Sequence, residues 1–269
     1  MLILQALGLL IVMIAVLSSI LSLYFEVKYW RNLRDPIDDG KYPSVTVIMP
    51  IRGVDQNLEG NVKSILNQKY PAVREYLFVI DDVNDPAYSL VSKIIKQYSN
   101  ARIIINNAGS SKGSALVKGI NEAKGDVVVI VDSDAYVHEE WLINLVNLLK
   151  AGSGAATTYR FYVPLSGLSL GSLLKASFNM IGITAMQNEV ARFAWGGSTA
   201  VWRSLILKWR LVEYLPHYLS DDYVITHMVH RDGLKVGFTP RSMVITMEDS
   251  GVRDAFNWAV RQLWYVKVY

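Results

Sequence analysis

Cysteine is absent from this 269-residue chain. Disulfides, thiolate zinc sites and a cysteine nucleophile are therefore excluded, and the chain suits a reducing compartment. Strong charge of either sign is also absent. The net formal charge is +3, too little to draw nucleic acid, and no nucleic-acid partner is expected. From Leu2 to Phe25 charge is missing altogether, and the run's polar residues are Gln5, Ser18, Ser19 and Ser22. About twenty apolar residues suffice to cross the hydrocarbon core as a helix. No Lys or Arg precedes the run and no clear small-x-small cleavage site follows it, which argues against a removable signal peptide. Residues 1–25 are thus predicted to form a single transmembrane helix. Tyr24, Tyr29 and Trp30 stand where an interfacial aromatic belt would lie, and Lys28, Arg31 and Arg34 follow. Positive residues on that side alone put the remainder of the chain in the cytoplasm. Residues 26–43, with Pro36 and Gly40, read as a juxtamembrane linker.

Beyond the linker, short apolar runs alternate with segments of helical spacing. Strands are predicted at Ser44–Met49, Tyr76–Ile80, Arg102–Ile105 and Val127–Val131. Helices are predicted around Leu58–Leu66, around Leu90–Tyr98, at Lys112–Lys124 and at Glu139–Lys150. Such alternation predicts βαβ units with right-handed crossovers and a mostly parallel sheet with flanking helices. Val127–Val131 is continuously β-branched or apolar, as a strand buried on both faces must be. It runs directly into Asp132-Ser133-Asp134. Residues i and i+2 of an extended chain point the same way, so both carboxylates can meet one ligand. Carboxylate oxygens suit Mg²⁺ or Mn²⁺, ions that also bind substrate phosphates. A solvated turn built from ordinary turn residues is the plainer reading. Asp81-Asp82 ends another strand on the same rim, where ligands of open α/β sheets bind. Two acidic clusters there would repel without a cation between them, which favours the metal reading.

The second half is less regular. Phe161 to Asn188 carries one charge, Lys175, and reads as an interfacial helix or a buried groove segment rather than a second span. Trp195-Gly196-Gly197-Ser198 is a turn where backbone can approach a ligand closely, or a plain loop. Ser220-Asp221-Asp222 opens a helical stretch; one Asp there serves as a cap, and the other is left for further work. His227 and His230 share that helix, but no third ligand lies at metal-binding spacing. Val252–Tyr269 mixes Phe256, Trp258, Trp264 and Tyr265 with Arg253, Arg261 and Lys267, a pattern of a helix lying in the head-group plane, or of an ordinary terminal helix packed on the core.

In order and spacing these segments resemble the family 2 glycosyltransferases, inverting enzymes of GT-A fold that use nucleotide sugars. The segments are Ser44–Arg52, Val79–Pro86, Lys112–Gly119, Asp132–Asp134, Trp195–Ser198 and Ser220–Asp222. Asp85-Pro86-Ala87 and the membrane tether look like the ceramide glucosyltransferase branch. That branch usually ends in (Gln/Arg)-x-x-Arg-Trp; here the stretch reads Arg261-Gln-Leu-Trp-Tyr265. The resemblance implies a catalytic domain over 44–269, with a nucleotide-sugar half at 44–150, an acceptor half at 151–251 and an interfacial helix at 252–269. It implies a metal at Asp134 and Asp132, and nucleotide-sugar contacts from Pro50, Arg52, Asp81, Asp82, Lys112, Asp132, Ser133 and Arg261, with Asp82 preferred over Asp81 for the base. It implies acceptor contacts from Trp195, Gly196, Gly197 and Trp264, and Asp222 as catalytic base with Asp221 second. The cofactor expected is Mg²⁺ or Mn²⁺, the donor UDP- or GDP-linked, and the acceptor a lipid of the adjoining bilayer. Polysaccharide elongation is the alternative. A nucleotidyltransferase would show a glycine-rich basic loop after the first strand, which Pro50-Ile-Arg-Gly53 fits poorly.

Overall fold

The structure, a computed structural model, describes residues 39–268 apart from Ala108 and Ser110. Near the N-terminus it also describes Met13, Val16, Leu17, 19–21, Leu23, Tyr24 and 26–31, all helical. Among the described residues no helix is long and apolar enough to cross a membrane. Most of the span expected at 1–25 lies outside the described residues. Within the stretch read as a linker, residues 26–31 are helical. Tyr29 there is half-buried, and its hydroxyl donates to the Phe238 carbonyl at 2.6 Å. Burial pushes its phenol up to about 12.

The first half is β1 (Val45–Ile51), α1 (Leu58–Leu66), β2 (Val73–Ile80), α2 (Pro86–Ile95), β3 (Ala101–Ile105), α3 (Lys112–Glu122) and β4 (Val127–Val131). Then come β5 (Ala135–Tyr136), α4 (Trp141–Lys150), β6 (Ala155–Thr157), β7 (Arg160–Val163), α5 (Leu170–Gln187) and β8 (Ser198–Trp202). The chain ends with α6 (Arg203–Trp209), α7 (Leu211–Tyr214), α8 (Asp221–Arg231), β9 (Val236–Phe238), β10 (Val244–Met247) and α9 (Val252–Val268).

The main sheet has seven strands in the order β3-β2-β1-β4-β8-β6-β9. β1 pairs in parallel with both β2 and β4, and β2 with β3. β8 runs antiparallel to β4 and β6, so the sheet is mixed but mostly parallel. The β-branched run of β4 explains its place. Val127, Val129 and Val131 pack with Trp141, Leu142 and Leu145 of α4 on one face. Val128 and Ile130 pack with Leu116 of α3 and Val229 of α8 on the other. At roughly 1.5–3 kcal/mol per buried aliphatic side chain, this double burial anchors the strand end that carries Asp132.

From β1 the chain steps outward to β2 and β3, then returns through α3 to put β4 on the other side of β1. The order therefore reverses between β1 and β4, and a crevice opens at their carboxyl ends. A second, three-stranded sheet of order β5-β10-β7 stands over that crevice; the sequence reading did not anticipate it. Asp85 has two tasks at the rim. It caps α2 by accepting from the Ala87 amide at 2.8 Å, with Pro86 at the first helical position. It also accepts from the Gly53 amide at 2.9 Å, which ties down the loop after β1.

Candidate active site

A cleft of about 370 Å³ occupies the crevice. Asp132, Ser133 and Asp134 line its floor, Pro50, Arg52 and Asp81 one side, and Ser111 and Lys112 the start of α3. Each carboxylate of the Asp132/Asp134 pair meets a cation from another element. Lys112 Nζ lies 2.8 Å from Asp132 Oδ1, and Arg160 Nη1 donates to Asp134 Oδ2 at 2.8 Å. Arg160 leads β7 of the small sheet, and its guanidinium lies 4.8 Å from the centre of the Trp195 ring. Asp134 Oδ1 is buried with no hydrogen-bond partner among the described residues. Burial pushes the Asp134 carboxyl up to about 6, with Asp132, Asp55 and Glu248 adding and Arg160 opposing.

Lys112 also joins this floor to the start of α8, which does not itself line the cleft. The same Nζ lies 3.2 Å from Asp221 Oδ1 and donates to the Gly196 carbonyl at 3.2 Å. Burial alone would lower the ammonium's pKa; Asp132, Asp221 and Asp222 outweigh it and hold the group charged. Asp221 and Asp222 are the first two residues of α8, where a helix end favours negative charge. Asp222 Oδ1 accepts from the Gly196 amide at 2.7 Å. Burial, then the neighbouring Asp221 carboxylate, push Asp222 up to about 7, with Lys112 pulling the other way. Asp221 Oδ2 is buried and has no hydrogen-bond partner among the described residues. The glycines of the turn are sterically required. A Cβ at Gly196 would collide with both Asp221 and Asp222, and one at Gly197 with the Trp195 ring.

Of the residues singled out in the sequence, Pro50, Arg52, Asp81, Lys112, Asp132, Ser133, Asp134 and Arg261 line this cleft. Asp221, Asp222, Gly196 and Gly197 do not, and the helix start and the glycine turn meet it through Lys112. Three more differ in detail. Asp81 lines it, held by the Asn106 amide at 3.0 Å. Asp82 is exposed and accepts instead from Asn84 in its own turn, so position favours Asp81, the reverse of the expected preference. Trp195 is buried in the core, and neither its ring nor the glycines after it line the cleft. Trp264 is 59% exposed and does not line the cleft. Trp258 does, together with Arg261; Trp264, six residues beyond Trp258, is turned about 120° round the helix from it. Among the described residues no group of three His, Asp or Glu side chains is arranged to hold a metal on its own, His227 and His230 included.

Five further cleft residues were not anticipated: Asp55, Arg160, Tyr162, Lys175 and Glu248. Asp55, in the loop after β1, accepts from the Ser133 hydroxyl and is pushed up by burial. Lys175, on the inner face of α5, is ion-paired to Glu248 and stands 4.4 Å from the centre of the Tyr162 ring. The single charge of an otherwise uncharged helix was the available signal for Lys175. Arg160, Tyr162 and Glu248 arrive on or beside the small sheet, whose long-range pairing no local pattern announces.

The chain is 29% identical over 187 residues to a ceramide glucosyltransferase of Candida albicans, covering 58% of this chain and 34% of that protein. It is 26% identical over 254 residues to a probable glycosyltransferase of Bacillus subtilis, covering 89% of this chain and 57% of that protein. The chain thus spans from a third to somewhat over half the length of these relatives. Among solved structures, a mannosyltransferase of Pyrobaculum calidifontis in complex with GDP-Man and Mn²⁺ superposes with a TM-score of 0.57 at 20% identity, over 88% of this chain and 72% of that one. That likeness establishes a GT-A-like α/β fold. The sequence profile of glycosyl transferase family 21 matches residues 10–267, and the chain belongs to that family.

Proposed function

We propose that the chain transfers a sugar, with inversion, from a nucleotide-sugar donor to a hydroxyl of a lipid acceptor at a membrane surface. The observation that carries this reading is the linkage through Lys112 of a strand-end acidic pair, Asp132 and Asp134, to a helix-start acidic pair, Asp221 and Asp222. Single displacement at an anomeric carbon needs two chemistries within one sugar's width: charge stabilisation of the leaving diphosphate and removal of a proton from the attacking hydroxyl. The floor suits the first and the helix start the second.

Asp222 is the better base of its pair. Its value of about 7 lies near working pH, where a general base is most effective. Its hydrogen bond from the Gly196 amide fixes one oxygen and leaves the other for the acceptor. Asp221 shares Lys112 with Asp132 and serves to hold that lysine. Asp81, Arg52 and Ser111 line the donor side, and Arg261 and Arg160 stand where a diphosphate would lie. Asp134, Asp132 and Asp55 offer hard oxygen donors, with Asp134 Oδ1 and Asp55 Oδ2 unpartnered among the described residues, which suits Mg²⁺ or Mn²⁺ completed by diphosphate oxygens and water. Bound there, such an ion would supply Lewis-acid stabilisation of the leaving group.

The lipid acceptor follows from the ceramide glucosyltransferase relatives and from the uncharged N-terminal run, which would tether the domain at the cytoplasmic face. Transfer of radiolabel from a panel of nucleotide sugars to ceramide-containing vesicles tests the reading. Asp222→Asn should abolish transfer and leave nucleoside-diphosphate binding intact. Normal turnover in Asp222→Asn removes Asp222 as base, and no transfer from any donor removes the reading.

A further inference from the structure

Helix α5 is built inside out. Its buried residues are Gly171, Ser172, Lys175, Asn179, Ile183 and Met186. Its outward residues include Leu170 at 65% exposure, Leu173 at 47%, Leu174 at 48%, Met180 at 49% and Ile181 at 64%. These five fall at i, i+3, i+4, i+10 and i+11, one face of a helix. A helix on the surface of a water-soluble domain has the opposite arrangement, apolar toward the core and charged toward solvent. The polar inner face has a local reason: it supplies Lys175 to the cleft, and Asn179 donates to the Arg160 carbonyl at 2.7 Å. Among the described residues nothing accounts for the outer face.

Helix α9 packs along α5 and repeats the pattern. Its inner residues Trp258 and Arg261 line the cleft. Val252, Phe256, Val260 and Leu263, at i, i+4, i+8 and i+11, are 51%, 67%, 36% and 57% exposed. We infer that the outward face of α5, with the apolar stripe of α9, seats in the head-group layer of an anionic lipid bilayer, so that two helices wall the cleft on one side and meet lipid on the other. Charge selects this occupant over a second copy of the chain or another protein segment. The α5 face carries no charge, and α9 beside it carries, besides the cleft-lining Arg261, Arg253 and Lys267 against Asp254 alone. An uncharged aliphatic face flanked by basic and aromatic residues is the composition of helices that lie in a membrane surface, with cations at phosphate level. The inference rests on burial and charge and does not require sugar transfer.

The absence of cysteine makes the test direct. Leu174→Cys, Ile181→Cys and Phe256→Cys in the full chain each accept one fluorophore, with Leu207→Cys on α6, 60% exposed, as control. The proteins are reconstituted with mixed phosphatidylcholine and phosphatidylglycerol vesicles carrying brominated acyl chains. Lipid quenching at 174, 181 and 256 is expected at several times that at 207, with aqueous iodide showing the reverse. Tethering through the N-terminal run alone leaves all four labels alike and overturns the inference. So do labels at 174 and 181 shielded from lipid and iodide together, the signature of a protein contact. Since none of these readouts measures turnover, failure of the transferase reading leaves them unaffected.

Discussion

Gly196→Ala is the sharpest test of how the acidic pair is held. An alanine Cβ would lie 2.1 Å from Asp222 Oδ1 and 2.2 Å from Asp221 Oδ2. Restoring van der Waals contact requires each carboxylate to move by about 1 Å. Neither moves freely. Asp222 is bonded to the Gly196 amide itself, and Asp221 to Lys112. Helix α8 is fixed by Val224, Ile225, Met228 and Val229 in the core. A misplacement of about 1 Å at a reacting group costs on the order of 100-fold in rate, whereas overpacking of this kind costs about 1–3 kcal/mol of stability. Gly196 is not in the left-handed backbone region, so alanine carries no conformational penalty of its own there. The expectation is a loss of kcat of about 100-fold with donor KM changed little, because Asp81 and Arg52 lie across the cleft. Transfer assays with the donor found active in the panel measure kcat and KM, and calorimetry measures stability. A Gly196→Ala protein with native stability and kcat within about threefold of the parent would falsify the idea that this turn positions the base.

Three further outcomes follow from the same geometry. The acid limb of the kcat/KM profile, which reports the free enzyme, should have its midpoint near 7 if Asp222 is the base, because it is pushed up to about 7; a limb near 4 refutes that environment. The sign for stability is opposite. The raised value favours the folded state below the ordinary carboxylate value of 3.8 and is lost as pH rises to about 7. Asp222→Asn should therefore gain thermal stability over the parent progressively between those pH values and hold the gain above them, as paired melting curves would record. Lys112→Met removes the cation that opposes the rise at Asp222, so the acid limb should move up by about 1 unit or more, while Lys112→Arg leaves it near the parent's. Asp134→Asn should abolish the Mn²⁺ dependence of nucleoside-diphosphate binding in calorimetry; dependence equal to the parent's assigns the ion elsewhere.

Legibility in the sequence follows the range of the interactions concerned. β1 and β4 were plain because burial on both faces forces continuous apolar runs, and Val127–Val131 is read to the residue. Strand-end position then located Asp132 and Asp134 without any fold in hand. The helix start at Asp221 was legible, but neither Asp caps it: the N-cap is Ser220 with no side-chain capping bond, and the link of Asp222 to Gly196 crosses from α8 to the turn before β8. The small sheet was invisible: β5 has two residues, Ala135 and Tyr136, and pairs with β10 more than a hundred positions away. With it went Arg160, Tyr162 and Glu248. Helix α5 was read as interfacial or groove-lining. It lines the cleft with one face and exposes aliphatics on the other, which a one-sided hydrophobic pattern could not separate.

The charge pattern of the cleft explains why one lysine matters so much. Asp55, Asp81, Asp132, Asp134 and Glu248 line the cleft with Arg52, Lys112, Arg160, Lys175 and Arg261, and Asp221 and Asp222 adjoin it through Lys112. Carboxylates outnumber cations, and protonation is the molecule's own means of relief: Asp134 and Asp222 are both pushed up. Those two stand on opposite sides of Lys112, one at a strand end and one at a helix start. A divalent ion at the strand end would supply the missing positive charge on that side and compete with Lys112 for Asp132. Lys112 would then rest more fully against Asp221, and Asp222 beside it would ionise more readily. Donor arrival and base activation would thus be coupled through a single side chain. That coupling distinguishes the cleft from two independent acidic sites, in which Lys112→Met would weaken donor binding and leave the acid limb where it was.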